Sequence, residues 1–250
     1  MSKADKNSRA AIGIAGLDKM IAGGIPGGDL VLVSGTPGAG KTILALKFIC
    51  SGAEANEPGV FVSFDSEADE ILAQSRSLRL GLEELVENKK AVLARVDSTD
   101  IYKALDDIEK KVKEIGAKRL VIDSISVLSV YASSYRNLPE DLITFLQETK
   151  HAPPILMGEV TQKQMVYHII SRIRRLGCTT IITSELSKNS DWFSRDTVSE
   201  FACDGIILLD QHALGEENIR TLQVVKMRRT EHAEGVHQFA FKSGDGITVK

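Results

Sequence analysis

One stretch constrains this chain more than any other. Leu30-Val31-Leu32-Val33-Ser34-Gly35 is an apolar run suited to a buried strand, and Lys41-Thr42-Ile43-Leu44-Ala45-Leu46 continues with helical spacing. Between them lies the turn Thr36-Pro37-Gly38-Ala39-Gly40, so positions 35–42 read G-x-x-x-x-G-K-T, the P-loop pattern in its strand–loop–helix setting. Glycines let the backbone curl with its N–H groups inward, and the following helix adds its positive end, so the loop holds an anionic phosphate. In this pattern Gly35 to Thr42 form the phosphate cradle. Lys41 reaches the terminal phosphates, and the Thr42 hydroxyl takes a place on a magnesium ion.

Composition adds bounds. With 250 residues, 43% hydrophobic and 26% charged, the chain has the make-up of a soluble globular domain with a sizeable core. A net charge of −3 supplies no general attraction to nucleic acid or to an anionic membrane. Cys50, Cys178 and Cys203 are scattered without a C-x-x-C pair, which predicts buried reduced thiols. The first nine residues are polar and no run approaches the roughly 18 apolar residues of a membrane span, so a cytoplasmic protein without membrane association is expected.

Along the chain, residues 1–11 read as a flexible lead and 12–250 as one domain. Residues 12–28 carry one short turn of helix between glycines. Strands are predicted at Val60–Phe64, Ala91–Val96, Arg119–Asp123 and Thr179–Thr183. Helices are predicted near Ile71–Leu80, Tyr102–Ile115 and Met165–Leu176, with capping groups offered by Asp97 to Asp100. A surface insertion is expected at about 138–159, with a helix near Glu140–Glu148. The C-terminal part reads as strands at Gly205–Asp210, Thr221–Met227, Gln238–Phe241 and Ile247–Val249. Strands alternating with helices, then strands alone, predict an α/β fold. Its twisted, mainly parallel sheet is flanked by helices and extended by an antiparallel C-terminal edge.

Four further features bear on the phosphate cradle. Asp123 ends an apolar strand, where a carboxylate orders magnesium in P-loop proteins; the alternative is a helix cap. Asp65 and Glu67 follow the Val60–Phe64 strand, where a general base could reach an attacking water, although an acidic helix start would look similar. Lys226-Met227-Arg228 on a strand would project both cations from one face, able to stabilise transition-state charge or simply solvated. Thr183-Ser184-Glu185 ends another parallel strand, at the edge where nucleotides bind; the alternative is a purely structural role.

The chain resembles the KaiC-like branch of the RecA/RadA recombinase superfamily. The matching segments are I-G-I-A-G-L-D-K-M-I-A-G-G-I-P-G-G (12–28), V-S-G-T-P-G-A-G-K-T (33–42), V-F-V-S-F (60–64) and V-I-D-S-I-S (121–126). They continue with L-G-C-T-T-I-I-T-S-E (176–185), C-D-G-I-I-L-L (203–209), K-M-R-R-T-E-H (226–232) and G-I-T-V (246–249). The resemblance implies a RecA-like P-loop NTPase that binds ATP with magnesium and assembles as a homo-oligomer, ring or filament. Nucleotide then lies between subunits, and Lys226 and Arg228 act on the neighbour's phosphates. Three departures stand out. Asp65-Ser66 occupies the place of two adjacent glutamates, while Asp65-Ser66-Glu67 matches the D-x-E of the recombinases, leaving Glu67 as first choice of base and Asp65 as second. Arg229 stands where a glycine is usual. The chain also carries a single G-x-x-x-x-G-K-T where KaiC itself is a tandem repeat, so a clock role does not transfer. The leading expectation is an ATPase. Two alternatives are a nucleotide-gated assembly module acting on a protein partner, and a RadA-like accessory protein binding single-stranded DNA. The second would use Ser133–Asn137 and Ser187–Asp196, with Trp192 and Phe193 stacking on bases.

Overall fold

Alternation along the central strands decides the layers. On β3 (Leu30–Gly35), Val31 and Val33 join one core while Leu30 and Leu32 join a second. β4 (Gly59–Ser63) and β6 (Arg119–Asp123) divide likewise, Phe61 and Val121 to the first core, Val62 and Ile122 to the second. A strand apolar on both faces needs helices on both sides. The first core is closed by α1 (Ala15–Met20), α2 (Lys41–Glu54), α3 (Ala68–Ser77) and α4 (Leu82–Glu87). The second is closed by α5 (Ile101–Ile115) and α6 (Pro154–Arg175), through residues such as Ile108 and Ile169. The computed structural model describes residues 8–96, 100–127, 154–187, 190–214, 217–243 and 246–249.

The remaining elements are β1 (Arg9–Ala10), β2 (Ile25–Pro26), β5 (Ala91–Arg95), β7 (Thr179–Glu185), the short α7 (Ser199–Ala202), β8 (Gly205–Leu214), β9 (Glu217–Met227), β10 (His237–Lys242) and β11 (Gly246–Val249). Among the described residues, nine strands form one sheet in the order β11-β10-β9-β8-β3-β7-β6-β4-β5. Pairing is parallel from β8 to β5 and antiparallel from β8 to β11. That is the mainly parallel sheet with an antiparallel C-terminal edge expected from the sequence. β3 sits inside it, with β7 and β8 on its two sides. The loop that follows β3 therefore opens at a crevice between strand ends, where open α/β sheets hold their ligands.

Several boundaries differ from expectation. Arg9–Ala10, placed by sequence in the lead, pairs antiparallel with Ile25–Pro26, and the Arg9 guanidinium donates to the carbonyls of Ile21 and Gly24. Helix α3 begins and ends earlier than Ile71–Leu80, because Glu67 and Glu70 close its first turn. Asp100 caps α5, accepting from the N–H groups of Tyr102 (2.9 Å) and Lys103 (3.1 Å); residues 97–99 lie outside the described residues. The expected helix at 140–148 and the loop at 133–137 do too, as does the 138–159 insertion up to residue 153. Its last residues form the start of α6.

One charged group is built into the core. Arg119, on β6, is 2% exposed and donates to the Glu57 carboxylate (2.8 and 2.6 Å) and to the carbonyls of Ala11 (2.6 Å) and Phe48 (2.8 Å). Its guanidinium lies 4.7 Å from the Phe48 ring centroid. Each of these neighbours supplies an acceptor or a π face, the condition under which a cation tolerates burial. The side chain thus ties the N-terminal segment, α2 and β6 together.

Candidate active site

The phosphate loop is shaped by two close constraints. A Cβ on Gly35 would stand 2.1 Å from the Leu209 carbonyl oxygen of β8, so only glycine fits where β3 ends. Gly40 has φ +106°, and a Cβ there would also come within 2.7 Å of the Phe241 ring. The helix proper starts at Lys41, with the Leu44 N–H donating to the Gly40 carbonyl at 3.0 Å. The first N–H groups of α2 have no partner within the helix and face the loop's concave side. Nothing lies within 4 Å of a Cβ built on Gly38, which leaves room for an anion against the backbone. Lys41 is 8% exposed, and its ammonium donates to the carbonyls of Gly35 and Thr36, both at 3.0 Å. Burial pulls its pKa down, while the carboxylates of Glu185 and Asp123 hold it up.

Strand register brings the acidic residues to the same place. Asp123 ends β6 opposite Ser63 of β4, and Glu185 ends β7 opposite Gly35. The Thr42 hydroxyl donates to Asp123 Oδ2 at 2.8 Å, and the Thr183 hydroxyl donates to Oδ1. Two strands and a helix therefore hold one carboxylate at the loop. A cavity of about 350 Å³ opens there, lined among others by Lys41, Thr42, Asp65, Asp123, Glu185 and Phe241. A cradle of backbone N–H groups, a lysine, a hydroxyl and a carboxylate suits a polyphosphate with a hard divalent cation. Thr42 and Asp123 are the groups that could hold magnesium.

The two candidate bases part company. Asp65 lines the cavity; burial first, then the charges of Asp123 and Glu185, push its carboxyl pKa above the usual range. Glu67 is not among the lining residues. Its backbone N–H donates to the Glu70 carboxylate at 3.2 Å, and its own carboxylate pairs with Arg95 of β5.

Lys226 and Arg228 stand elsewhere. Gly35 pairs with Leu209, which pairs with Leu222 of β9, whereas Lys226 pairs with Ile206, beside Leu32. They therefore sit near the opposite end of the strands, about 10 Å further down at 3.3 Å per residue, and two strands away. A bulge opposite Ile206/Ile207 leaves Val225 unpaired, which lets Leu222, Val224 and Met227 all join the first core. Strict alternation would have sent Lys226 into that core with Val224. Instead its ammonium donates to the carbonyls of Cys203 (2.8 Å) and Glu200 (3.2 Å), and burial together with the Arg228 charge pulls its pKa down. Arg229, at the position of the usual glycine, has φ +59° and pairs with Asp29. A backbone in the left-handed region favours glycine, and the ion pair helps hold Arg229 there.

The loop after β7 turns Phe193 toward the sheet, its carbonyl accepting from Ser34, and leaves Trp192 half-exposed with its ring edge against Phe201 at 6.5 Å. A second cavity of about 490 Å³ lies beside it, against Thr36. Its lining among the described residues carries Asp191 and Asp210 and no lysine or arginine. The cysteines are all buried free thiols, with Cys50 pushed up to about 12 and Cys178 to about 11 by burial. No helix among the described residues is long and apolar enough to cross a membrane. Phe241 and Ser63 are cavity residues that sequence did not single out. Both reach the loop only through strand register, and no local pattern marks them.

Comparison with known proteins agrees with this geometry. The family model "ATPase: KaiC" matches residues 10–164 and 155–250. The chain belongs to the KaiC ATPase family. The circadian clock oscillator protein KaiC of Parasynechococcus marenigrum is 29% identical over 250 aligned residues, covering 95% of this chain and 44% of that protein. The circadian clock protein KaiC2 of Synechocystis sp. is 31% identical over 95% of this chain and 39% of its own length. The chain thus spans less than half the length of the curated relatives it matches. A crystal structure of a KaiC-like protein from the hyperthermophilic archaeon Pyrococcus horikoshii superposes with a TM-score of 0.74 at 31% identity, covering 97% of this chain and 99% of that one. The KaiC-like, RecA-type P-loop fold, an ATP-binding fold, is shared along the whole domain.

Proposed function

We propose that this KaiC-family protein is a magnesium-dependent ATPase that acts as a homo-oligomer, with each ATP lying between two copies. The observation that carries the reading is the division of the charged residues. Lys41, Thr42, Asp65 and Asp123 converge on one cavity, while Lys226 and Arg228 face away from it at the far end of the antiparallel edge. A phosphoryl transition state needs cationic charge on both sides. Cations on a distant edge serve it by reaching another copy's site.

In this mechanism the loop N–H groups and Lys41 bind the β- and γ-phosphates. Thr42 and Asp123 are the residues that would hold magnesium, which would supply positive charge to offset the charge developing on the phosphate. Thr183 fixes the Asp123 carboxylate. Asp65 accepts the proton of the attacking water, a role favoured by its place in the cavity and by a pKa moved toward neutrality. Glu67, engaged by Arg95, orders the start of α3 behind it. Lys226 and Arg228 of one copy stabilise the charge on the γ-phosphate held by the next.

Steady-state turnover of Asp65→Asn and Glu67→Gln tests the assignment, with nucleotide binding measured in parallel. Asp65→Asn is expected to bind ATP and lose turnover by about 10² or more, the usual worth of a general base. Glu67→Gln is expected to stay within a few-fold of the parent. The reverse order would move the base to Glu67, and unchanged turnover in both would refute the mechanism.

A further inference from the structure

The residues around Lys226 and Arg228 form a built arrangement. Asp204 opens β8 just before Gly205 and is largely buried. One carboxylate oxygen, Oδ2, accepts from the Leu30 N–H at 3.1 Å and from Arg174 at 2.7 Å. The other, Oδ1, faces Arg228 Nη1 at 3.5 Å. The Asp204 carbonyl also accepts the Arg228 N–H at 2.9 Å. Lys226 lies on the carbonyls of Glu200 and Cys203, just upstream. The surrounding charges are Arg174, Arg228, Arg229 and Lys226, with Asp29 as the second carboxylate. Cations outnumber carboxylates, so removing the Asp204 charge leaves several like charges facing one another.

The two halves of this carboxylate differ in what they touch. Oδ2 is tied to Leu30, the first residue of the strand whose other end carries the phosphate loop. Oδ1 faces Arg228, whose guanidinium is half-exposed and therefore weakly held. We propose that Asp204 is a positioning residue for Arg228. It references the arginine to the rigid centre of the sheet while leaving its outer nitrogens able to engage the phosphates bound by a neighbouring copy. The proposal rests on the shared-site reading above and adds to it a residue that touches no nucleotide.

Subunit mixing with Asp204→Asn tests it. The amide keeps an acceptor for the Leu30 N–H and removes the charge. Asp204→Asn alone is expected to lose about tenfold or more in kcat, with ATP binding within about twofold of the parent, since the loop that binds ATP is untouched. Mixed in equal amounts with Lys41→Ala, which lacks a working loop but offers an intact Arg228, it should recover toward about a quarter of the parental rate. Random head-to-tail assembly pairs a good loop with a good arginine at that frequency. A purely structural defect in Asp204→Asn would stay with the subunit that binds ATP and show no recovery. The companion mixture, Arg228→Ala with Lys41→Ala, separates the two ideas. Recovery there but not with Asp204→Asn overturns the positioning role alone, and recovery in neither overturns the shared site as well. Parental kcat in Asp204→Asn also overturns the role. If melting shows that Asp204→Asn does not fold, Asp204→Glu takes its place, keeping the charge but displacing it by a methylene. Reduced kcat that recovers with Lys41→Ala supports the proposal; parental kcat, or no recovery, overturns it.

Discussion

Thr183→Val isolates how the sheet prepares the proposed metal position. Thr183 is fully buried on β7 and its hydroxyl donates to Asp123 Oδ1, while Thr42 donates to Oδ2. With the Thr42 hydroxyl given over to magnesium as proposed, the Thr183 hydroxyl would be the donor left to orient the carboxylate. Valine matches threonine in shape and suits a strand, so no cavity is created and the folding cost is that of the lost hydrogen bond, at most about 1.5–3 kcal/mol. A hydrogen bond to a charged group is worth about 1.5–3 kcal/mol, and losing an outer partner of a metal ligand typically costs about 10–100-fold in metal affinity. The two figures agree at about 1.4 kcal/mol per tenfold. The assay is a magnesium titration of ATP turnover at saturating nucleotide, with a melting curve as control. The half-saturating magnesium should rise about 10–100-fold, with Tm lowered by no more than roughly 3–12 °C. A shift below about twofold would refute the claim that Thr183 holds Asp123 for the metal.

Arg119→Met should destabilise the fold by about 3 kcal/mol or more, since it removes the donor to the Ala11 carbonyl and the partner of the Glu57 carboxylate. Calorimetry would then show Tm lowered by roughly 6–12 °C for a domain of this size, and an unchanged Tm would contradict the staple. Glu185→Gln removes one of the charges that raises the Asp65 pKa. A base works only when ionised, so activity falls as pH drops through its pKa. A lower pKa therefore moves the acidic limb of kcat/KM, which reports the free protein, to lower pH. A limb that stays put or rises would argue against Asp65 as the titrating base.

Much of the fold was legible because its signals are local. Leu30 to Gly35 and Lys41 to Ile49 carry strand and helix patterns strong enough to place β3, the loop and α2, and continuous apolar runs announced parallel strands. Asp123 and Asp65 were legible as strand-end carboxylates. What escaped depends on contacts between distant residues. The two-residue pairing of Arg9–Ala10 with Ile25–Pro26 has no periodicity to detect. Phe241 closes over Gly40 only because β10 sits where the hairpin order puts it. The Val225 bulge is invisible in composition, yet it turns Lys226 out of the first core. A D-x-E pattern could not show that Arg95, arriving from another strand, engages Glu67 while Asp65 lines the cavity.

In the proposed function, each ATP is turned over at a site completed by a second copy. ATP turnover per subunit, followed across protein concentration alongside sedimentation of the same samples, tests it most directly. Turnover should rise in step with the assembled fraction and vanish on dilution to single subunits. Turnover per subunit that is constant through dissociation would contradict it.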